Sequence, residues 1–408
     1  MKTAFRISFI IYNFLPLKCG ISKGVNMLYR SFPKMPDEKI SALGFGLMHL
    51  PLKSDSSIDY EKTKELVCIA LEQGVNYFDT AWPYHGGTSE TVLGRILKEL
   101  GVREKIYIAD KLPIWDIDSK EKAASIFAKQ LEKLQTDHID FDLLHAMSKD
   151  HWEKVKKLGL LSLIDELKAS GKIRHPGFSF HDTPDVFQKI VDEYPAAEFC
   201  QVQYNYLDGD IQGTAKDIEY AAARGIGTVV MEPLRGGLLA QPPKGIAEIF
   251  ASASIKRAPA EWGLGYVLQN PNVVCTLSGM GAADQMRMNC ATAATVAPAS
   301  MTQTELKIVE SAAEWFKQRI KVPCTGCRYC MPCPKNVDIP AVFSDWNRMS
   351  MSGALEDGPA VSENYAKIQK DGHGAELCVT CHKCETLCPQ KIKIPAMLAE
   401  ARKMLKTE

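Results

Sequence analysis

The chain has 408 residues, of which 46% are hydrophobic and 24% are charged, and its formal net charge is zero. This length leaves room for two domains, and the balance of apolar and charged residues is that of a globular protein rather than a disordered one. Because the charges balance, the composition does not favour nucleic acid or an anionic membrane as a partner.

The first residues do not show the pattern of a folded domain. A short apolar run, residues 7–17, follows two basic residues, as in a signal peptide or a short anchor. Asn13 and Pro16 interrupt this run, and it is too short to span a bilayer. We interpret residues 1–26 as a non-structural extension that precedes the patterned sequence from Met27.

Short apolar runs alternate with helical patterns in the next part of the chain. The runs are uninterrupted, as expected of strands that are buried on both faces. They comprise residues 42–47, 77–80, 106–109, 141–145, 177–180, 199–204, 227–231 and 273–277. Helical periodicity follows in residues 61–73, 119–134, 161–169, 185–193, 215–224, 259–269 and 283–291.

This alternation predicts an α/β fold, a (β/α)8 TIM barrel, over residues 27–298. A doubly wound open sheet is the alternative, and it usually carries a glycine-rich phosphate loop after its first strand. Here Gly44 and Gly46 are not followed by the further glycines and the helix of that loop. The barrel is therefore favoured, and residues 299–322 are expected to form a helical linker behind it.

Residues 323–408 are expected to form a second domain, because they hold two cysteine runs. Each run has three cysteines at three-residue spacing and a fourth cysteine before proline. Three such thiolates can bind three irons of one cubane, and the fourth usually ligates the other cluster of a two-cluster ferredoxin. The runs therefore predict two 4Fe–4S clusters. The first would be held by Cys324, Cys327, Cys330 and Cys388, and the second by Cys378, Cys381, Cys384 and Cys333.

Two other interpretations of the cysteines compete with this one. Paired C-x-x-C units can bind zinc, and eight cysteines could form disulfides in a secreted chain. Zinc requires neither the threefold spacing nor the closing Cys-Pro, so iron–sulfur binding is favoured. The first run closes after two intervening residues instead of three, so crossed ligation by Cys333 has weaker support than the clusters themselves.

The tail also carries expectations about its fold and location. Residues 339–349 have a helical pattern, which predicts a small, mainly helical, two-cluster ferredoxin-like domain. Because iron–sulfur ligation needs reduced thiols, we expect the protein to be cytoplasmic.

Polar residues follow the ends of three successive predicted strands. Asp79 lies at the end of the second strand and Tyr84 just after it. Lys111 lies just after the third strand, and His145 ends the fourth. Taken singly, these could be a loop cap, a half-buried aromatic, a surface charge and a core histidine. In a barrel, however, the carboxyl ends of the strands meet at one rim, which is where such enzymes carry their catalytic residues.

The four residue types suit the reduction of a carbonyl group. An ammonium group close to a tyrosine favours the phenolate, and a carboxylate keeps the lysine charged and oriented. A neutral histidine can hydrogen-bond the carbonyl oxygen. The pattern predicts Tyr84 as a general acid, Lys111 and Asp79 as the pair that tunes it, and His145 as the orienting donor.

Five segments carry a family pattern: residues 76–84, 142–145, 171–179, 201–205 and 233–237. In these segments the chain resembles the aldo/keto reductase family, and with its tail it is similar to the subgroup that has a C-terminal 4Fe–4S ferredoxin-type domain. The resemblance implies NADP(H) or NAD(H) bound across the rim, with Asp79, Tyr84, Lys111 and His145 as the catalytic residues. It further implies the cofactor contacts Ser179, Gln201, Met231, Ser278, Gly279, Gln285 and Asn289, with Met231 where many members stack an aromatic ring.

The leading prediction is an NAD(P)H-dependent oxidoreductase that transfers a hydride between nicotinamide and a small-molecule carbonyl or alcohol. The clusters would serve electron transfer or structure, and a ferredoxin-like protein is the candidate electron partner. No nucleic acid or membrane partner is expected. The alternative is a redox-sensing or electron-transfer protein whose barrel binds a nucleotide without carbonyl turnover.

Overall fold

The computed structural model describes residues 26–208 and 215–407, which divide into two compact units. We name them the barrel unit, residues 26–233 and 263–301, and the tail unit, residues 234–262 and 302–407. Segment 234–262 thus groups with the tail, whereas the sequence prediction places it in the barrel domain. The predicted extension lies outside the described residues except for Asn26. In these described ranges, no helix combines the length and the apolar character that a membrane crossing requires.

A β-hairpin precedes the barrel and packs against the amino ends of its strands. Strands β1 (Tyr29–Phe32) and β2 (Met35–Ser41) pair in antiparallel fashion. Phe32 is fully buried, and the centroid of its ring lies 5.4 Å from that of Phe141 and 5.8 Å from that of Phe199. The sequence does not predict this hairpin, because most residues of β2 are polar and do not form an apolar run.

Eight parallel strands form a closed barrel in the barrel unit. They are β3 (Leu43–Gly46), β4 (Tyr77–Asp79), β5 (Tyr107–Leu112), β6 (Ile139–Met147), β7 (Ile173–Phe180), β8 (Phe199–Gln203), β9 (Gly227–Met231) and β10 (Val273–Ser278). Each strand pairs with the next one along the chain, and β10 pairs with β3 to close the ring. Every strand overlaps a predicted apolar run, so the predicted TIM barrel is confirmed.

Helices alternate with the barrel strands and continue into the tail. In chain order they are α1 (Tyr60–Glu72), α2 (Ser89–Leu100), α3 (Lys120–Leu134), α4 (Lys149–Lys157), α5 (Leu160–Ala169), α6 (Pro184–Glu193), α7 (Ala215–Ala222), α8 (Lys244–Ala251), α9 (Pro259–Leu268), α10 (Ala283–Ala293), α11 (Gln303–Arg319), α12 (Ile339–Met351), α13 (Glu363–Lys370), α14 (Lys383–Thr386) and α15 (Ile394–Met404). Six helices lie outside the segments with predicted helical periodicity, namely α2, α4, α8, α13, α14 and α15. Helix α11 occupies the predicted linker and begins with a capping box between Thr302 and Glu305.

Helices α2 and α3 pack closely beside the segment that follows β4. A Cβ atom on Gly94 would lie 2.5 Å from the backbone carbon of Leu134, so glycine permits this approach. The Lys133 Nζ atom lies 2.7 Å from Glu90 Oε2 and 3.8 Å from the centroid of the Trp82 ring. These contacts hold the chain between β4 and the turn that begins at Tyr84 (residues 84–87).

The tail unit has a core of its own. Its fully buried side chains include Val322, Val337, Phe343 and Ala401, and most of the cluster cysteines pack against this core. Strands β11 (Ala360–Val361) and β12 (Leu405–Lys406) form a short parallel pair, and the remaining regular elements are helices. The predicted mainly helical tail is confirmed.

Candidate active site and cluster cysteines

The side chain of Lys111 lies at the centre of the polar residues on the barrel rim. It is 1% exposed, and its Nζ donates hydrogen bonds to Asp79 Oδ1 at 2.7 Å and to the Thr80 carbonyl oxygen at 2.6 Å. Its third partner is the Tyr84 hydroxyl at 3.5 Å. An ammonium group has three N–H donors, so these three contacts can use all of them.

Two partners of this lysine, Asp79 and Tyr84, come from the end of strand β4 and from the turn after it. Asp79 ends the strand, and burial raises the pKa of its carboxyl group although the Lys111 ammonium opposes that shift. Its Oδ2 is buried without a hydrogen-bond partner in the described part of the chain. Tyr84 begins the following turn, in which His85, Gly86 and Gly87 all have positive φ angles. This left-handed stretch turns the chain sharply just after Tyr84.

His145 lies on β6, next to Tyr84. Its ring centroid is 6.4 Å from that of Tyr84 and 4.9 Å from that of Trp115. Burial lowers the pKa of His145 well below its ordinary value, and the positive charge of Lys111 lowers it further. The imidazole is therefore neutral, and one ring nitrogen can donate a hydrogen bond while the other accepts one.

The backbone beside His145 is fixed by two side chains. Ala146 has a φ of 54°, and its N–H donates to Ser179 Oγ at 2.7 Å. His151 Nδ1 lies 2.6 Å from the Ala146 carbonyl oxygen and donates to it. Ser179 was predicted as a cofactor contact, and the structure places its hydroxyl against the backbone N–H of the residue that follows His145. Nothing in the residue types signals the contact from His151.

The other predicted cofactor contacts fall into two groups at the carboxyl ends of strands. On β8 and β9, Gln201 Nε2 lies 3.8 Å from Met231 Sδ, and Gln201 Oε1 is buried with no hydrogen-bond partner among the described residues. After β10, Asn289 donates to Ser278 Oγ at 3.1 Å.

The segment after β10 also contains Gly279 and Gln285. The His49 ring lies against Gly279, because a Cβ atom there would be 3.0 Å from the ring carbon Cδ2. Gln285 Oε1 accepts a hydrogen bond from the Gly281 N–H at 3.0 Å. His49 was not among the predicted contacts.

Three buried acids lie behind the rim. Asp110 is paired with Asp142 in the register of β5 and β6, and Asp110 Oδ1 accepts a hydrogen bond from the Lys111 backbone N–H. Burial raises the pKa of Asp110 well above its usual value, and the Glu90 carboxylate adds to the shift. Burial also raises the pKa of Asp142 to about 8, and neither Asp142 oxygen has a hydrogen-bond partner in the described ranges.

In the tail unit, one pocket collects the cysteines of the first predicted cluster. Its lining includes Cys324, Cys327, Cys330 and Cys388, so the last cysteine of the second run joins the first three of the first run. Burial raises the pKa of Cys330 to about 12, and Cys327, Cys324 and Cys388 raise it further.

The cysteines of the second predicted cluster form another neighbourhood. Burial raises the pKa of Cys384 to about 11, and Cys378, Cys381 and Cys333 add to the shift. Within residues 26–208 and 215–407, no three His, Cys, Asp or Glu side chains converge as the ligands of one metal ion would. The four cysteines of a cubane bind different irons and stand farther apart than the ligands of one zinc ion.

Comparisons with known proteins identify the family of the barrel and the type of domain in the tail. The family model for the aldo/keto reductase family matches residues 42–311, and that for a 4Fe-4S dicluster domain matches residues 323–392. L-galactose dehydrogenase of Arabidopsis thaliana is 28% identical over 303 residues, which cover 68% of this chain and 92% of that protein.

Two solved structures are similar to the barrel. An aldo-keto reductase from Bacillus halodurans in its holo form has a TM-score of 0.58 at 26% identity, covering 70% of this chain and 96% of that one. An aldo-keto reductase from Klebsiella pneumoniae in complex with NADPH has a TM-score of 0.56 at 20% identity, covering 71% of this chain and 95% of that one. The second likeness shows the fold alone.

The raised pKa of Asp142 generates a prediction about stability. In the folded chain this carboxyl keeps its proton up to about pH 8, whereas in the unfolded chain it ionises near pH 4. The stability contributed by the protonated acid is therefore lost as the pH rises through this window. An asparagine keeps the shape of the side chain and cannot ionise. The free energy of unfolding of Asp142→Asn, relative to that of the wild type, should therefore rise by about 2–4 kcal/mol when the pH is raised from 5 to 8.

Urea unfolding of both proteins at the two pH values measures this difference. Asp118→Asn is the matched control, since Asp118 is exposed in the same unit and should show no such gain. An Asp142→Asn stability difference that stays constant from pH 5 to pH 8 would contradict the assignment.

Proposed function

The chain belongs to the aldo/keto reductase family and is an NAD(P)H-dependent oxidoreductase, and we propose that it transfers a hydride between nicotinamide and a small-molecule carbonyl or alcohol. The supporting observation is the buried contact of Lys111 with both Asp79 and Tyr84. In this proposal Tyr84 is the general acid, and Lys111, Asp79 and His145 complete the catalytic set.

The proton transfer follows from the charges around Tyr84. When a carbonyl oxygen gains negative charge, the Tyr84 hydroxyl gives it a proton and becomes a phenolate. The Lys111 ammonium stabilises that phenolate, and Asp79 compensates the lysine, so no isolated charge is left in the buried site. In the reverse direction, the same phenolate takes the proton from an alcohol.

His145 orients the substrate in this proposal. Because its imidazole is neutral, it can hydrogen-bond the carbonyl oxygen without competing for the proton. The Ala146 backbone, held by Ser179 and His151, fixes the position of that ring. The substrate oxygen would lie between the Tyr84 hydroxyl and the imidazole.

The residues on β7 to β10 fit a nicotinamide cofactor. The buried Oε1 of Gln201, which has no hydrogen-bond partner among the described residues, suits an amide donor such as the carboxamide of nicotinamide. Ser179 would contact the same group, Met231 would pack against the ring, and Ser278, Gly279, Gln285 and Asn289 would bind the adenosine phosphate end. The bound cofactor, NADP(H) or NAD(H), would supply the hydride.

For the tail we propose two 4Fe–4S clusters with crossed ligation. The gathering of Cys388 with Cys324, Cys327 and Cys330 in one pocket supports this assignment. A hydride carries two electrons, whereas such a cluster usually takes one, and the sequence shows no flavin site that could split the pair. The clusters therefore exchange electrons with a ferredoxin-like partner or stabilise the tail. The reduced thiols that they require support a cytoplasmic location.

Substitution of Tyr84 tests the hydride-transfer proposal. Tyr84→Phe removes only the acidic hydroxyl, so turnover should fall by about 10²–10⁴-fold while the dissociation constant for NADPH stays unchanged. The measurements are NADPH oxidation with a panel of aldehydes and ketones, and a fluorescence titration with NADPH. Tyr220→Phe, on a surface helix, is the control and should retain full turnover.

Two results would count against the proposal. Undiminished turnover in Tyr84→Phe would remove this residue as the acid. A wild type that binds NADPH tightly and reduces no carbonyl in the panel would favour a redox-sensing protein instead.

Serine substitutions test the crossed ligation. Cys324→Ser and Cys388→Ser should damage the same cluster and leave the same residual electron paramagnetic resonance spectrum. Cys333→Ser should match Cys378→Ser, and Cys290→Ser, a buried free thiol in the barrel unit, should keep the full iron and sulfide content. A Cys388→Ser spectrum that matches Cys378→Ser would show that each run binds its own cluster.

A further inference from the structure

The second set of cluster cysteines is more open to solvent than the first set. Cys381 is exposed, whereas the other seven cluster cysteines are partly buried. The first set, by contrast, lines a pocket that Ile339, Phe343 and Ile394 help to enclose. The cluster of the second set would therefore lie closer to solvent.

Two large apolar side chains are exposed in the same run of residues as Cys381. Val379 is 58% exposed and Leu387 is 42% exposed. Single exposed apolar residues are common, but two of them in the short run that also carries the exposed Cys381 suggest a surface that another molecule covers.

The exposed charged residues next to these cysteines in the sequence are basic. Lys383 is exposed one position after His382, and Lys335 is exposed two positions after Cys333. Glu385, the acid within this run, lies with a carboxylate oxygen 2.9 Å from His382 Nδ1. We call Val379, Cys381, Lys383, Leu387 and Lys335 the docking surface.

We propose that the docking surface binds a small acidic protein that carries a one-electron redox centre. The inference rests on the proposed function, because it requires the cluster held by Cys333, Cys378, Cys381 and Cys384. One electron leaves the reduced centre of the carrier and is taken up by this cluster, so the carrier is oxidised by one electron and no bond or proton is transferred.

The chemistry of the surface determines the kind of partner. Exposed apolar groups with a charged surround match the core and rim of a transient protein interface. Basic side chains attract an acidic protein and raise its rate of association, and this attraction weakens as salt screens it. Close approach to Cys381 brings the two redox centres together, which favours electron transfer because its rate falls steeply with distance.

The experiment uses the full chain, reconstituted anaerobically with iron and sulfide. The probe is a reduced, acidic bacterial two-cluster ferredoxin, and stopped-flow absorbance gives the second-order rate constant for electron transfer. Val379→Asp should lower this constant by about tenfold or more, because a carboxylate then faces the acidic probe. Lys383→Glu should lower it as well and should weaken its dependence on ionic strength.

The chain offers a matched control for Val379. Val361 is also 58% exposed in the tail unit, on β11, so Val361→Asp adds the same charge to an equally exposed valine. This variant should keep at least half of the wild-type rate constant. Reduction by dithionite should be equally complete in all variants, since they should all retain both clusters.

Several outcomes would overturn the inference. The rate constants of Val379→Asp and Lys383→Glu could equal that of the wild type, or Val361→Asp could slow transfer as much as Val379→Asp. A wild-type dimer that Val379→Asp dissociates in sedimentation would assign the surface to a second copy of the chain. Fewer than two clusters in the reconstituted wild type would remove the proposed function on which the inference rests, and the iron analysis identifies that case separately.

Discussion

The buried ammonium group of Lys111 is the constraint on which the barrel rim depends. A charge in the protein interior is costly unless hydrogen-bonded partners compensate it. Here the partners are a carboxylate, a backbone carbonyl and a hydroxyl, all from the end of β4 and the turn after it. The pairing of β4 with β5 brings these groups into register, so the closed barrel itself sets the geometry around Tyr84.

The same residues explain why the barrel unit suits two-electron chemistry. A hydroxyl beside a compensated ammonium can give up a proton, and a neutral imidazole can hold the substrate oxygen, as hydride transfer requires. The tail unit has a different chemistry, since it matches a 4Fe-4S dicluster domain, and such clusters usually take single electrons. We therefore propose that the barrel carries out hydride transfer and that the tail surface around Cys381 exchanges single electrons.

The sequence predicts features that depend on residue type and misses those that depend on backbone contacts. The barrel strands could be recognised because each is an uninterrupted apolar run, whereas β2 is mostly polar and gains its place only through tertiary packing. The rim residues could be named because strand ends converge in a barrel. Residue type gives no signal for the contact of Lys111 with the Thr80 carbonyl or for the left-handed conformation of Ala146. The same holds for the lack of hydrogen-bond partners of Asp142 within the described part of the chain. Likewise, only the fold shows that segment 234–262 groups with the tail.

The most direct test of the account is whether NADPH alone reduces the clusters. Protein that contains both clusters and no flavin is mixed anaerobically with NADPH, and the absorbance of the cofactor and of the clusters is followed together. If the two chemistries are separate, the clusters stay oxidised and NADPH is consumed only when a carbonyl substrate is added. Rapid cluster reduction with matching loss of NADPH, before any carbonyl is present, would contradict the separation of the two chemistries.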